Sequence, residues 1–200
     1  MRNKVLWPLL VIGLLALASF FWQEKEASLR GTVYDPPIPA PDFTLTSGDG
    51  QVFRLSEQRG RIVLLFFGYT SCPDVCPTTL AELKQVFQKL SSDEQERIRV
   101  FFITVDPQRD SPERVQQYAN RFHPSFIGLS GSEEVLTPVW QAYGVYREVL
   151  PAESASGYLV AHSARIYLVD HEGNLRLTFP FGTPSEDILF DLKILLKKKG

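Results

Sequence analysis

The chain has 200 residues, with 23 acidic and 21 basic side chains and a net charge of −2. Near-balanced charge with scattered basic residues points to neither a nucleic-acid surface nor an acidic-lipid patch. Two cysteines, Cys72 and Cys76, are too few for a disulfide framework, so their placement asks for a chemical explanation.

Residues 5–22, VLWPLLVIGLLALASFFW, are uncharged, with Arg2 and Lys4 before them and QEKE after them. As a helix this run spans roughly 27 Å, enough to cross a bilayer core, and the positive-inside rule keeps its amino end in the cytoplasm. Ala16-Leu17-Ala18 also suits signal-peptide cleavage. The apolar run continues past that site to an interfacial Trp22, which favours an uncleaved anchor. Residues 1–27 are therefore read as a cytoplasmic tip and transmembrane anchor, or a signal peptide. The rest would lie across the cytoplasmic (inner) membrane, a single-pass protein facing the periplasm. Residues 28–41 hold four prolines and little periodicity, as in a linker. Residues 42–200 are long enough for one domain with its own core.

Within that domain, FTLTSGDGQVFRL alternates about SGDG like a hairpin. The run 61–68, RIVLLFFG, is apolar throughout, as in a central strand covered on both faces. Residues 80–90 carry an apolar helical face, and 99–105 read as a second buried strand. In DPQRDSPE, Ser111 or Asp110 can cap a helix with Pro112 in its first turn, running to about Phe122. A short strand at FIGLSG, a helix over 133–143, a hairpin of 165–169 with 175–179 and a helix over 187–197 complete the chain. Lys197, Lys198 and Lys199 read as a solvated helix end. The order predicts an α/β domain of thioredoxin-like fold, a central mixed sheet flanked by helices, with its site at the carboxyl end of the central strand.

YTSCPDVCP, residues 69–77, follows that strand directly. A proline is costly four residues into a helix but suits its start, so Pro77 is expected as the first helical residue and Cys76 as its N-cap. Both sulfurs would then lie at the positive end of the helix dipole, which favours thiolates. Two adjacent thiolates can close a disulfide or clamp a soft metal such as Cu(I). Buried, inert cysteines fit an open proline-flanked loop poorly. Of the three histidines, His123 reads as a helix-end dipole partner and His171 as a solvated turn residue. His162 stands just ahead of strand 165–169, in a loop that approaches the cysteines, and is the candidate third ligand.

Three segments, YTSCPDVCPT (69–78), VDPQRDSP (105–112) and LVAHS (159–163), resemble in order and spacing the Sco/SenC family of copper chaperones. The resemblance covers residues 38–196. It implies a membrane-anchored protein that binds one copper, as Cu(I) or Cu(II), through Cys72, Cys76 and His162. The implied task is assembly of the binuclear copper centre of cytochrome c oxidase, with subunit II or another copper-accepting protein as partner. The family commonly has an acidic residue before the histidine, where this chain has Ala161. A rival reading is a thiol-disulfide oxidoreductase using Cys72 and Cys76 as its redox pair. Related redox enzymes use CxxC and a facing cis-proline, whereas this chain spaces its cysteines by three residues and has no proline from Ala152 to Phe179. A peroxidase reading lacks the arginine-supported threonine-cysteine pocket it needs. Asp106 and Asp110 read as turn and helix caps in preference to a role at the rim of the site.

Overall fold

In the computed structural model, residues 28–151 and 157–197 are described. The candidate anchor lies outside them, and among the described residues no helix is long and apolar enough to cross a membrane. Among the described residues ten strands and five helices follow one another: β1 Thr32–Pro39, β2 Thr44–Ser47, β3 Val52–Arg54, β4 Ile62–Gly68, α1 Val75–Gln88, α2 Ser92–Glu96, β5 Ile98–Thr104, α3 Pro112–Asn120, β6 Phe126–Ser130, α4 Glu133–Ala142, β7 Arg147–Pro151, β8 Tyr158–His162, β9 Arg165–Val169, β10 Asn174–Pro180 and α5 Ser185–Lys197. A short 3-10 turn, Leu55–Gln58, links β3 to β4.

Eight strands form one mixed sheet in the order β1-β10-β9-β4-β5-β6-β2-β3. The uninterrupted apolar run of β4 buries every residue and occupies the centre, parallel to β5 and antiparallel to β9. Its alternate side chains feed two layers. Phe66 meets Phe102, which meets Tyr118 of α3, on one face. Phe67 meets Tyr143 and Tyr167 on the other. Each such phenylalanine contributes about 1.5–3 kcal/mol through burial. On the first face α5 lies against α1, tied by Glu82 accepting from the Ser185 N–H and by Lys89 with Glu186.

The expected hairpin around SGDG is present, with Leu45 opposite Phe53. The hairpin of β9 and β10, the strand β6 and the helices α3 to α5 also fall where periodicity placed them, to within a few residues. Ser111 is the α3 cap, accepting from the Arg114 N–H, and Pro112 opens the helix. The stretch read as linker departs from expectation: β1 pairs antiparallel with β10 as an edge strand. The chain is already held before it, because the Asp191 carboxylate accepts from the backbone N–H groups of Arg30 and Gly31. Prolines are tolerated on an edge, which explains why a proline-rich strand resembled a linker. The second departure is a separate two-stranded ribbon of β7 and β8, in which Arg147 lies opposite His162.

Candidate metal centre

The site forms where β4 ends. The Cys72 N–H bonds back to the Tyr69 carbonyl at 3.2 Å, closing a turn above the strand. Helix α1 begins at Val75, two residues earlier than Pro77, the expected start. Pro77 is accommodated because its missing N–H belongs to the first turn, where it has no partner inside the helix. The first bond of that helix runs from the Thr78 N–H to the Asp74 carbonyl. Cys76 is thus a first-turn residue, fully buried, while Cys72 stays half-buried in the loop. Gly68 makes the close approach possible: a Cβ there would lie 2.7 Å from the Cys76 Sγ.

His162 is the last residue of β8 rather than part of a loop, and the ribbon carries it over the cysteines. Its Nε2 is 3.6 Å from the Cys76 Sγ, and its ring meets Tyr69 edge-on at 5.7 Å. Its Nδ1 lies 3.1 Å from the Ser163 carbonyl, which can only accept, so Nδ1 carries a proton and Nε2 is the ring nitrogen turned to the sulfurs. The ligand atoms of Cys72, Cys76 and His162 all lie within 4.8 Å of one another. The other two histidines are elsewhere: His123 packs on Phe87 and Phe126 and bonds to Ser125, and the His171 carbonyl accepts from Gly60. His123 is therefore an aromatic packing residue in place of the expected dipole partner. Across the ribbon from Ala161 stands Glu148.

The two sulfurs differ in protonation, contrary to the expectation of two thiolates. Donation from Cys76, with further bonds from His162 and the backbone N–H groups of Cys76 and Asp74, outweighs burial and lowers the Cys72 thiol to about 4. The Cys76 N–H, at the helix start, is 3.4 Å from the Cys72 Sγ. Burial pushes the Cys76 thiol strongly upward, and the charge on Cys72 adds to that. The helix dipole reaches the half-exposed sulfur, whereas its neighbour beneath loses water and faces a negative charge. Without metal the pair is one thiolate and one thiol. An open, largely apolar groove lined by Pro73, Val75, Leu150 and Leu159 runs beside Cys72 and His162.

Asp106 and Asp110, expected as caps, are buried and serve the site instead. Asp110 accepts from the N–H and hydroxyl of Thr70 at 3.0 and 2.6 Å and from the Thr104 hydroxyl at 2.8 Å. Asp106 accepts from Arg109 and from the Tyr158 hydroxyl, tying the turn after β5 to the start of β8. Local pattern could not reveal this, since an aspartate before a helix reads as a cap whether or not it is buried.

Two sulfurs and one imidazole nitrogen, without a carboxylate among them, fit a soft metal with low coordination number. The family model described as SCO1/SenC matches residues 34–197. An SCO2-like protein of Rickettsia felis is 32% identical over 202 residues, covering 96% of this chain and 98% of the relative. The apo Sco1 protein from Thermus thermophilus is 41% identical, with a TM-score of 0.76 over 86% of this chain and 99% of that one. Bradyrhizobium japonicum ScoI, solved with copper bound, is 35% identical, with a TM-score of 0.71 over 79% of this chain and 99% of that one. The CxxxC loop, the facing histidine and these likenesses together make this chain a member of the SCO1/SenC family, with its thioredoxin-like fold.

Proposed function

We infer that this protein is a copper chaperone that takes one copper on Cys72, Cys76 and His162 and serves assembly of the binuclear copper centre of cytochrome c oxidase. Its partner in this reading is subunit II of the oxidase or another copper-accepting protein. The observation that carries the reading is the convergence of two sulfurs and one imidazole nitrogen within 4.8 Å at the carboxyl end of β4. Soft thiolates suit Cu(I), and adding imidazole lets the same site accept Cu(II). The copper bound in the Bradyrhizobium japonicum relative supports the choice of metal. The apolar run 5–22, with its flanking charge bias, supports a membrane-anchored domain outside the cytoplasm.

The asymmetry of the sulfurs favours a second reading, thiol-disulfide exchange with a partner. The Cys72 thiolate would attack one sulfur of the partner's disulfide, releasing the other as a thiolate and forming a mixed disulfide. Cys76, losing its proton, would then displace the partner's remaining sulfur. The partner gains two electrons as a dithiol, and this protein ends with a Cys72–Cys76 disulfide.

Anaerobic titration tests the chaperone reading. The reduced protein should bind one Cu(I), and the disulfide form none until reduced, because metal needs both sulfurs free. Equal Cu(I) uptake by the oxidised and reduced forms would remove these sulfurs as ligands.

A further inference from the structure

The ribbon that carries His162 makes no strand pairing with the eight-stranded sheet: it joins the sheet through Ser163 and Ala164, which lead into β9, and the rest of its placement over the cysteine loop depends on side chains. Arg109 is central to them. Its Nη1 donates to the Tyr158 carbonyl at 2.9 Å, and its guanidinium lies 3.6 Å over the Tyr158 ring. Its Nε donates to the Asp106 carboxylate, which is fully buried and also accepts from the Tyr158 hydroxyl at 2.7 Å. One planar fork thus grips the backbone, the ring and, through Asp106, the hydroxyl of the same tyrosine. Further along β8 the Val160 N–H donates to the Tyr69 hydroxyl at 3.3 Å. Tyr158, Val160 and His162 alternate along one edge of the strand, so fixing the first two directs the third.

We propose that Arg109 is a positioning residue of the metal centre: clamped by Asp106, it fixes β8 at Tyr158 and so sets the distance from His162 to the two sulfurs. His162 stands four residues beyond Tyr158, about 13 Å along an extended strand. With the Tyr158 end released, β8 can turn about its junction with β9 and re-aim the imidazole, against a tolerance of about 0.2 Å for a metal–ligand distance. The cysteines are held separately, by α1 and by the bonds of Asp110 to Thr70. Loss of Arg109 therefore loosens the histidine arm against the sulfur arm, leaving the Val160–Tyr69 bond and the bond from Arg147 to the Val105 carbonyl as remaining ties. Lysine cannot replace it, because one ammonium on a flexible stem lacks the planar fork.

This inference rests on the copper reading, and the test keeps the two apart. Full-length wild type, Arg109→Met, Arg109→Lys and Leu192→Ala are compared, the last as a buried α5 control that lowers stability away from the site. In Arg109→Met, Cu(I) affinity should stay within about threefold of wild type. Cu(II) affinity should fall by about 10–100-fold, with weakened imidazole nitrogen coupling in the electron paramagnetic resonance spectrum. Arg109→Lys should not restore it, and Leu192→Ala should leave the Cu(II) spectrum unchanged. In the metal-free protein, amide exchange at Val160 and His162 should quicken in Arg109→Met. Should that variant not fold, Tyr158→Phe, which keeps Arg109 and the ring but removes the bond to Asp106, should shift Cu(II) binding the same way by less. A wild type that binds no copper defeats the copper reading. A copper-binding wild type with unchanged Cu(II) coupling and unchanged β8 exchange in folded Arg109→Met overturns the positioning role. Equal loss of Cu(I) and Cu(II) would overturn it as well.

Discussion

If Cys72 is a thiolate held by donors, its reactivity should be nearly independent of pH where an ordinary thiol's is steep. Its thiol is lowered to about 4 from 9.0, chiefly by donation from Cys76. At about pH 6 this makes it almost wholly thiolate, against about one part in a thousand for an unperturbed thiol, a gain of about a thousandfold. Intrinsic nucleophilicity falls with basicity, and a shift of about five units at a Brønsted coefficient of about 0.4–0.5 costs about 100–300-fold. The net advantage at about pH 6 is a few-fold, so the shape of the profile is more informative than the rate. Reaction of the reduced protein with a small chromogenic disulfide should therefore hold a plateau from about pH 5 to about pH 8 and decline as pH falls through about 4. Cys76→Ala removes the leading donor and should move the lower limb of the profile to higher pH. Cys76→Ser keeps a hydroxyl donor and should move it less. A wild-type rate that climbs about tenfold per pH unit through neutrality would refute the donor-stabilised thiolate.

Gly68→Ala places a methyl 2.6 Å from Phe102 Cε2 and 2.7 Å from the Cys76 Sγ. It should cost about 1–3 kcal/mol of stability by thermal unfolding and weaken Cu(I) binding, while retention of both would show that the close approach is dispensable. Asp110→Ala leaves the Thr70 N–H and the hydroxyls of Thr70 and Thr104 without their acceptor. Urea unfolding should report a loss of about 2–5 kcal/mol, with Asp110→Asn losing less; a loss below about 0.5 kcal/mol would deny the loop-bracing role.

The sequence made the strands of the central sheet readable because β4 and β5 are continuous apolar runs, a pattern that a doubly covered strand requires. The cysteine pair and His162 were readable for a chemical reason, since no packing role suits cysteines in an open proline-flanked loop. Four features were hidden. The edge strand β1 is mostly exposed and rich in proline, so its bonds to β10 leave no trace in hydrophobic periodicity. The β7 and β8 ribbon is partly apolar on an exposed flank, so VLP and YLV do not announce a pair held by side chains. Asp106, Arg109 and Asp110 look like ordinary capping chemistry in DPQRDSP. Their role depends on burial against Thr70, Thr104 and Tyr158, residues brought near by the fold and not by spacing. The unequal protonation of the sulfurs was hidden likewise, since it follows from one cysteine being buried and the other only partly so.

The most direct test of the three-ligand site compares Cu(II) and Cu(I) binding in wild type and His162→Ala. Wild type should form a Cu(II) complex with both thiolate charge-transfer absorption and one imidazole nitrogen in its paramagnetic resonance spectrum. In His162→Ala the nitrogen coupling should vanish and Cu(II) affinity should fall by about 100-fold, while Cu(I) binding, carried by two sulfurs, weakens by about tenfold or less. An unchanged Cu(II) spectrum in that variant would contradict the account, because it would leave the imidazole facing the sulfurs with no part in holding copper.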